Sequence, residues 1–273
     1  ADREVVATAV KQNGLALQHA ADWLRCDREL VLLAVSENDA ALQHAQKHLR
    51  EDKVIVLSSV KPNGVVLGLQ YASPCILSDQ AFLLDIVQCN ASALLHSPAE
   101  YLHNDRNFMI AAASRNGAIL AHASADLQED REVALAAIKQ QSAAFSSVAS
   151  SLQKDRDFVF DAVSINGLVL EYLKDHFSDD IAIVSRAVHQ NWKAIRFALA
   201  KFRGDHEIML LAVQQSGLAL RFATKPILAD KKISLTATTR DWRALQFITS
   251  DLRNDLEIVY AAILQDRKAL NLL

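Results

Sequence analysis

The chain has 273 residues, 51% of them apolar, which is ample material for a buried core. Glycine and proline number only 7 and 4, too few to punctuate many strands and turns, so composition favours helices. A formal charge of −3 gives no global reason to expect a nucleic-acid or anionic-membrane partner.

The chain opens on Asp2-Arg3-Glu4, and the same triplet returns at Asp27-Arg28-Glu29 and Asp130-Arg131-Glu132. Read by aspartate, it falls into eleven units that start at Asp2, Asp27, Asp52, Asp79, Asp105, Asp130, Asp155, Asp180, Asp205, Asp230 and Asp255. Nine of the ten intervals are 25 or 26 residues, and the one from Asp52 to Asp79 is 27. Each Asp has the chemistry of a helix N-cap: its carboxylate accepts orphan backbone N–H groups and suits the positive end of the helix. Apolar pairs follow at offsets three, four, seven and eight, as in Leu30-Val31 and Ala34-Val35. Those offsets trace one face of a helix.

Eleven residues after each Asp stands a second capping type: Asn13, Asn38, Asn63, Asn90, Asn116, Asn166, Asn191, Ser216, Asp241 and Asp266, with Gln141 as the exception. Apolar pairs such as Ala16-Leu17 and Ala219-Leu220 come next, then an anchor such as Leu24 or Leu252. This predicts a second short helix, so each unit reads as a hairpin of two helices of about 9–11 residues. Neither is stable alone at that length, and stacking buries both. The expected fold class is therefore all-α: an α-solenoid of eleven ~25-residue helical hairpins, forming a single elongated domain over residues 1–273. Glycine follows the second cap only in odd units, at Gly14, Gly64, Gly117, Gly167 and Gly217. This points to a two-hairpin genetic repeat of ~50 residues. It also predicts a left-handed or crowded backbone at the odd turns. Pro62, Pro74 and Pro98 fall in units 3 and 4 and predict a bend or longer loop near residues 73–79 and 97–100.

The sequence starts in mid-pattern without Met and stops in mid-pattern at Leu273, as expected of a fragment of a larger protein. Cys26, Cys75 and Cys89 have neither disulfide nor metal spacing and read as reduced thiols of a cytosolic setting. No uninterrupted apolar run approaches the ~18–20 residues needed to cross a bilayer, and no signal peptide is visible.

The stretch DREVVATAVKQNGLALQHA, from Asp2 to Ala20, resembles a repeat family catalogued as a "domain of unknown function". Its ~50-residue repeats carry a signature close to EVVLAAVxQNGxALxYAS. The resemblance covers nearly the whole chain and is strongest in units 1, 2, 5, 6 and 9. Units 3, 4 and 10 depart through prolines or through Asp241-Trp242 in place of Asn-Gly. Similar arrays occur in large protist proteins and in effectors that intracellular bacteria secrete into host cells. The resemblance carries no catalytic residues to transfer. It implies an interaction array, working in the host cytosol if the protein is an effector.

No phosphate loop, dinucleotide fingerprint or HExxH motif is present. No catalytic residue, metal site, cofactor or small-molecule substrate is expected. His44 and His48 are four apart on one predicted helix, a spacing that can share a metal, but no third ligand is evident nearby. His19, His44, His96 and His122 share one repeat position, continued by Tyr71, Tyr172, Phe197, Phe222 and Phe247. Such a ladder of rings serves either packing between hairpins or a binding face. The Asp-Arg-Glu carboxylates read as helix caps rather than acid–base pairs.

Charge is uneven. Residues 186–253 hold 12 Lys/Arg against 5 Asp/Glu, a balance of +7, which leaves −10 for the rest. Trp192 and Arg196 are spaced to share an α-helical face, and Arg196 and Arg221 occupy one repeat position in consecutive units. Arg and Trp are enriched at interface hot spots, and basic surface beside aromatic faces also suits nucleic acid; ordinary solvated charge is the bland alternative. The expected function is a non-enzymatic protein–protein interaction scaffold. Its partner-binding surface is expected at Trp192, Lys193, Arg196, Phe197, Arg221, Phe222, Trp242 and Arg243. The alternatives are a nucleic-acid-binding helical repeat or the non-catalytic targeting region of an enzyme. The negative N-terminal part and the lack of a continuous basic ladder argue against nucleic acid. No membrane insertion is expected.

Overall fold

A computed structural model describes residues 2–62, 67–96, 100–174 and 176–272. These residues form helices and turns, with no strand among them. The chain divides into two compact units, residues 1–147 and 148–273.

Each aspartate of the repeat caps an α-helix that begins one residue later. In the first unit these helices are α1 (Arg3–Gln12), α2 (Arg28–Glu37), α3 (Lys53–Ser58), α4 (Gln80–Cys89), α5 (Arg106–Arg115) and α6 (Arg131–Gln140). In the second they are α7 (Arg156–Ile165), α8 (Ile181–Gln190), α9 (His206–Gln215), α10 (Lys231–Arg240) and α11 (Leu256–Gln265). In all eleven the capping carboxylate accepts from one or two N–H groups of the first turn. The offsets three, four, seven and eight are buried as the periodicity predicts in α2 (Leu30, Val31, Ala34 and Val35) and α7 (Phe158, Val159, Ala162 and Val163). In α1, by contrast, only Val10 is buried and Val5 is 66% exposed, and in α11 only Ile258 and Ala262 are buried. A fully buried side chain such as Phe158 stabilises the stack by about 1.5–3 kcal/mol.

Ten of the eleven helices have 10 residues, while α3 has 6. Pro62 occupies the position at which the other helices end. A proline there brings no N–H and its ring clashes with the carbonyl four residues back, at Ser58, where α3 stops. Around residues 73–79 the expected long loop is instead a turn at Pro74-Cys75 followed by a 3-10 turn, Ile76–Ser78. Residues 97–99, where the second loop was expected, lie outside the described residues, as do Asn63 and Gly64.

The second half of each repeat differs from the expected α-helix. It is a 3-10 helix, such as Gly14–His19 or Trp192–Phe197, followed by a break in extended backbone at Ala20 or Ala198. Several repeats then add a helix of 4 residues, such as Ala125–Gln128 or Ala200–Arg203. The reason lies in the spacing of the buried positions: Gly14, Leu17 and Ala20 are three apart and all buried. Three residues per turn, not 3.6, keeps them on one face.

Within the first unit α1 packs on α2, α2 on α3, α4 on α5 and α5 on α6. Within the second α7 packs on α8, α8 on α9, α9 on α10 and α10 on α11. Backbone bonds stitch neighbouring repeats: Gln46 N–H donates to the Arg25 carbonyl at 3.2 Å, and Thr224 N–H to the Arg203 carbonyl at 3.3 Å.

Among the described residues, the glycines after the second cap answer to crowding, not to handedness. Among the described residues no glycine has a positive φ. A Cβ added at Gly14, Gly117, Gly167 or Gly217 would collide with the carbonyl of Ala34, Ala137, Ala187 or Ala237, each in the first helix of the next repeat. The left-handed alternative is therefore set aside, and close approach of two backbones is the cause. Phe177 alone among described non-glycine residues has a positive φ, 59°. No helix among the described residues is long and apolar enough to cross a membrane.

Candidate partner interface

All eight residues expected at the partner surface lie in residues 148–273, on three 3-10 helices that pack side by side: Trp192–Phe197, Gly217–Phe222 and Trp242–Gln246. The 3-10 geometry changes which of them share a face. At three residues per turn, residues i and i+3 eclipse. Lys193 therefore aligns with Arg196, and both are exposed. Trp192 aligns with buried Ile195 and is itself half-buried, so it does not share the edge of Arg196 as α-helical spacing suggested.

The two arginines at the shared position are held the same way. The Arg196 guanidinium lies 4.3 Å from the centre of the Phe197 ring, and that of Arg221 lies 5.1 Å from the Phe222 ring. Both rings are half-buried. Each cation thus rests on the quadrupole of a ring anchored in the stack. Neither arginine, nor Lys193, makes an ion pair among the described residues.

Several other basic side chains of this region are engaged within the chain, while Lys225, Lys232 and Arg240 are exposed. Arg243 Nε and Nη2 donate to the two carboxylate oxygens of Asp241, its own repeat's cap, at 2.9 and 2.8 Å. That bond holds the Asp241 carboxyl below its ordinary range and raises Arg243. Lys201 pairs with Asp179, and His206 approaches Asp230 at 3.3 Å. Lys231 reaches Asp255 at 2.9 Å and Glu257 at 3.1 Å. Trp242 is half-buried like Trp192. The structure therefore brings Lys193, Arg196, Arg221, Phe197 and Phe222 to one edge. It gives Arg243 an internal partner and sets both tryptophans partly into the stack.

Two recurrent features escape the pattern of caps and apolar pairs. The first is the residue after each Asp. Arg3, Arg28, Arg106 and Arg156 each reach forward one repeat to Asp27, Asp52, Asp130 and Asp180, at 2.6–2.7 Å. Lys53 does the same to Asp79 at 2.6 Å. These guanidiniums hold the carboxyls of Asp27, Asp52, Asp130 and Asp180 below their ordinary 3.8. Glu29 and Glu132 join as second acceptors, at 2.9 and 2.6 Å. The Asp-Arg-Glu triplet is thus a cap, a forward clamp and a receiver for the previous clamp. Gln80 and Ile181 interrupt the ladder, and Ile181 is 58% exposed. A basic residue recurring directly after Asp was the available signal.

The second feature is glutamine at the last helical position. Gln215 Nε2 donates to the carbonyls of Val188 and His189, and its Oε1 accepts from Trp192 N–H at 3.1 Å. Gln190 likewise donates to the Ile165 carbonyl and accepts from Gly167 N–H at 2.7 Å. Both are staples between consecutive repeats.

The histidines are dispersed. His44 closes the 3-10 helix Asp39–His44, while His48 lies in the separate 3-10 helix Lys47–Glu51, beyond extended Ala45. They therefore do not share one helix, because the second half of the repeat breaks at that alanine. No group of three or more metal-ligating side chains occurs among the described residues. The ring ladder is mostly half-buried at His44, Tyr71, His122, Phe197, Phe222 and Phe247; the side chain of His96 lies outside the described residues. Burial, then Arg25 and His19, lowers the pKa of His44, and burial, then His103, lowers that of His122.

Comparison with known families matches the DUF4116 model, a domain of unknown function, to residues 2–50, 27–68, 105–153, 155–203, 180–228 and 230–273. The matches start on aspartates of the repeat, and several span two of its units. The chain belongs to this family. No curated protein and no solved structure matches it.

Proposed function

We propose that this member of the DUF4116 family is a non-enzymatic protein-interaction scaffold, in which eleven ~25-residue units stack as an α-solenoid and a protein partner docks on the edge formed by Lys193, Arg196 and Arg221. The observation that supports the docking edge most is the pair of exposed arginines, each stacked on a half-buried phenylalanine at the same position of consecutive repeats. Stacking restrains a long side chain before any partner arrives, which lowers the ordering cost of binding. Arginine beside an aromatic anchor is a common hot-spot chemistry. A role within a secreted effector acting in the host cytosol is part of the proposal and rests on the family resemblance alone.

The same cations on aromatic faces support a second reading, single-stranded nucleic acid. Capture from a eukaryotic lysate, with and without nuclease, separates the two. The bait is the chain itself beside an Arg196→Glu/Arg221→Glu variant whose circular dichroism is unchanged. A protein retained by the first, lost by the variant and indifferent to nuclease supports the scaffold. Capture that nuclease abolishes supports nucleic acid. Equal capture by both baits rules out this edge as the docking surface.

A further inference from the structure

The arginine edge also carries a chemistry for its partner. We propose that it takes an acidic peptide in an extended, polyproline-II conformation, with two carboxylates three residues apart. This rests on the scaffold reading and names the ligand class for that edge.

Each guanidinium carbon lies 4.3 or 5.1 Å from its ring centre, and neither arginine makes an ion pair among the described residues. An open guanidinium rim is matched by the fork of a carboxylate through two parallel charge-assisted bonds. Arg196 and Arg221 sit on neighbouring 3-10 helices in contact, and packed helices lie about 8–10 Å apart. Polyproline II rises about 3.1 Å per residue with three residues per turn, so side chains at i and i+3 point the same way about 9 Å apart. The two spacings agree. Residues between the two carboxylates would pass beside the half-buried rings of Phe197 and Phe222, which suits proline.

The edge is also short, and this favours a peptide over a polynucleotide. The equivalent position in the preceding repeat is Glu171, on the adjoining 3-10 helix Gly167–Tyr172. In the following repeat it is Gln246, while Arg243 beside it is bound to Asp241. A strand with a charge on every nucleotide would run onto Glu171, whereas a two-carboxylate peptide ends before it.

The test is fluorescence anisotropy with a short labelled peptide that has two glutamates three positions apart in a proline background. It is compared with the same peptide bearing glutamines, with one bearing adjacent glutamates, and with an oligothymidylate. The proteins are the full chain, Arg196→Glu/Arg221→Glu and Arg196→Lys/Arg221→Lys, all checked by circular dichroism. The expected result is saturable binding of the spaced glutamate peptide, at least about tenfold weaker for either control peptide and for the glutamate variant. The lysine variant, which keeps charge but loses the fork, should fall between. Equal binding of the glutamine peptide, no binding of any peptide, or tighter binding of the oligothymidylate would overturn the inference. If lysate capture still depends on Arg196 and Arg221 while the peptide does not bind, only the acidic-peptide inference falls. If lysate capture is also indifferent to the variant, the docking edge falls with it.

Discussion

Replacing Gly167 with alanine should destabilise the stack of repeats far more than the same change at Gly204. Gly167 opens the 3-10 helix Gly167–Tyr172 and lies against the carbonyl of Ala187 in α8. A Cβ there would fall well inside 3.0 Å of that oxygen and 3.0 Å from its carbon, whereas ordinary contact begins at 3.4 Å. Both obstructing atoms are backbone, so relief means separating α8 from the 3-10 helix by about 1 Å in a close-packed interior. The same movement stretches the 2.7 Å bond from Gly167 N–H to Gln190 Oε1. Overpacking costs about 1–3 kcal/mol and the strained hydrogen bond about 1 more, together about 2–4 kcal/mol. At Gly204 the nearest atom, at 2.9 Å, is the Thr224 hydroxyl, which can rotate away, and the φ of −101° suits alanine. Gly204→Ala should be neutral or stabilise by up to about 1 kcal/mol through the unfolded state. Urea unfolding followed by circular dichroism reads both, with hydrogen exchange to locate the loss, because repeat stacks need not unfold as one unit. Equal midpoints for the two variants, or a lower one for Gly204→Ala, would refute the close-approach account.

Other consequences follow from the seams. Gln215→Ala removes a staple between α8 and α9, where Ile181 supplies no forward ion pair, and should cost about 1–2 kcal/mol and shift Trp192 fluorescence to the red; an unchanged spectrum would argue against the staple. Asp180→Ala loses both a helix cap and a clamp and should cost about 1 kcal/mol, whereas Arg156→Ala, an exposed partner, should lower the midpoint less; the reverse order in urea unfolding would contradict the capping role. The folded-state pKa values of His44 and His122 lie below the ordinary 6.5, so their contribution is complete above 6.5 and is lost as pH falls through the folded values. The lowered carboxyls of Asp27, Asp52, Asp130 and Asp180 act the same way from 3.8 downward. Thermal midpoints should therefore be flat from about pH 8 to 7, decline gently below about 6.5 and fall steeply below about 4, and His44→Gln/His122→Gln should flatten only the first decline.

Much of this architecture was legible in residue spacing. The aspartate interval located every first helix, because a cap and a face at offsets three, four, seven and eight are local properties. The second half of the repeat was misread as an α-helix because its few apolar residues fit both periods. Only the burial of Gly14, Leu17 and Ala20 at intervals of three distinguishes them. That change of period also moved Trp192 off the edge of Arg196 and brought Lys193 onto it. The ion pair between Arg243 and Asp241 was beyond sequence reasoning, since a free and an engaged arginine look alike in one dimension. The forward clamp from Arg3 to Asp27 spans 24 residues, and its pairing becomes visible only once the repeats are stacked.

The most direct test of the docking edge is site-specific photocrosslinking in a eukaryotic lysate. One chain carries the photoreactive residue in place of Lys193, beside Arg196, and the other in place of Lys139, exposed at the end of α6. The account predicts discrete protein adducts at position 193 that Arg196→Glu/Arg221→Glu abolishes, and none at position 139. Adducts of equal yield at both positions, or at 139 alone, would contradict it.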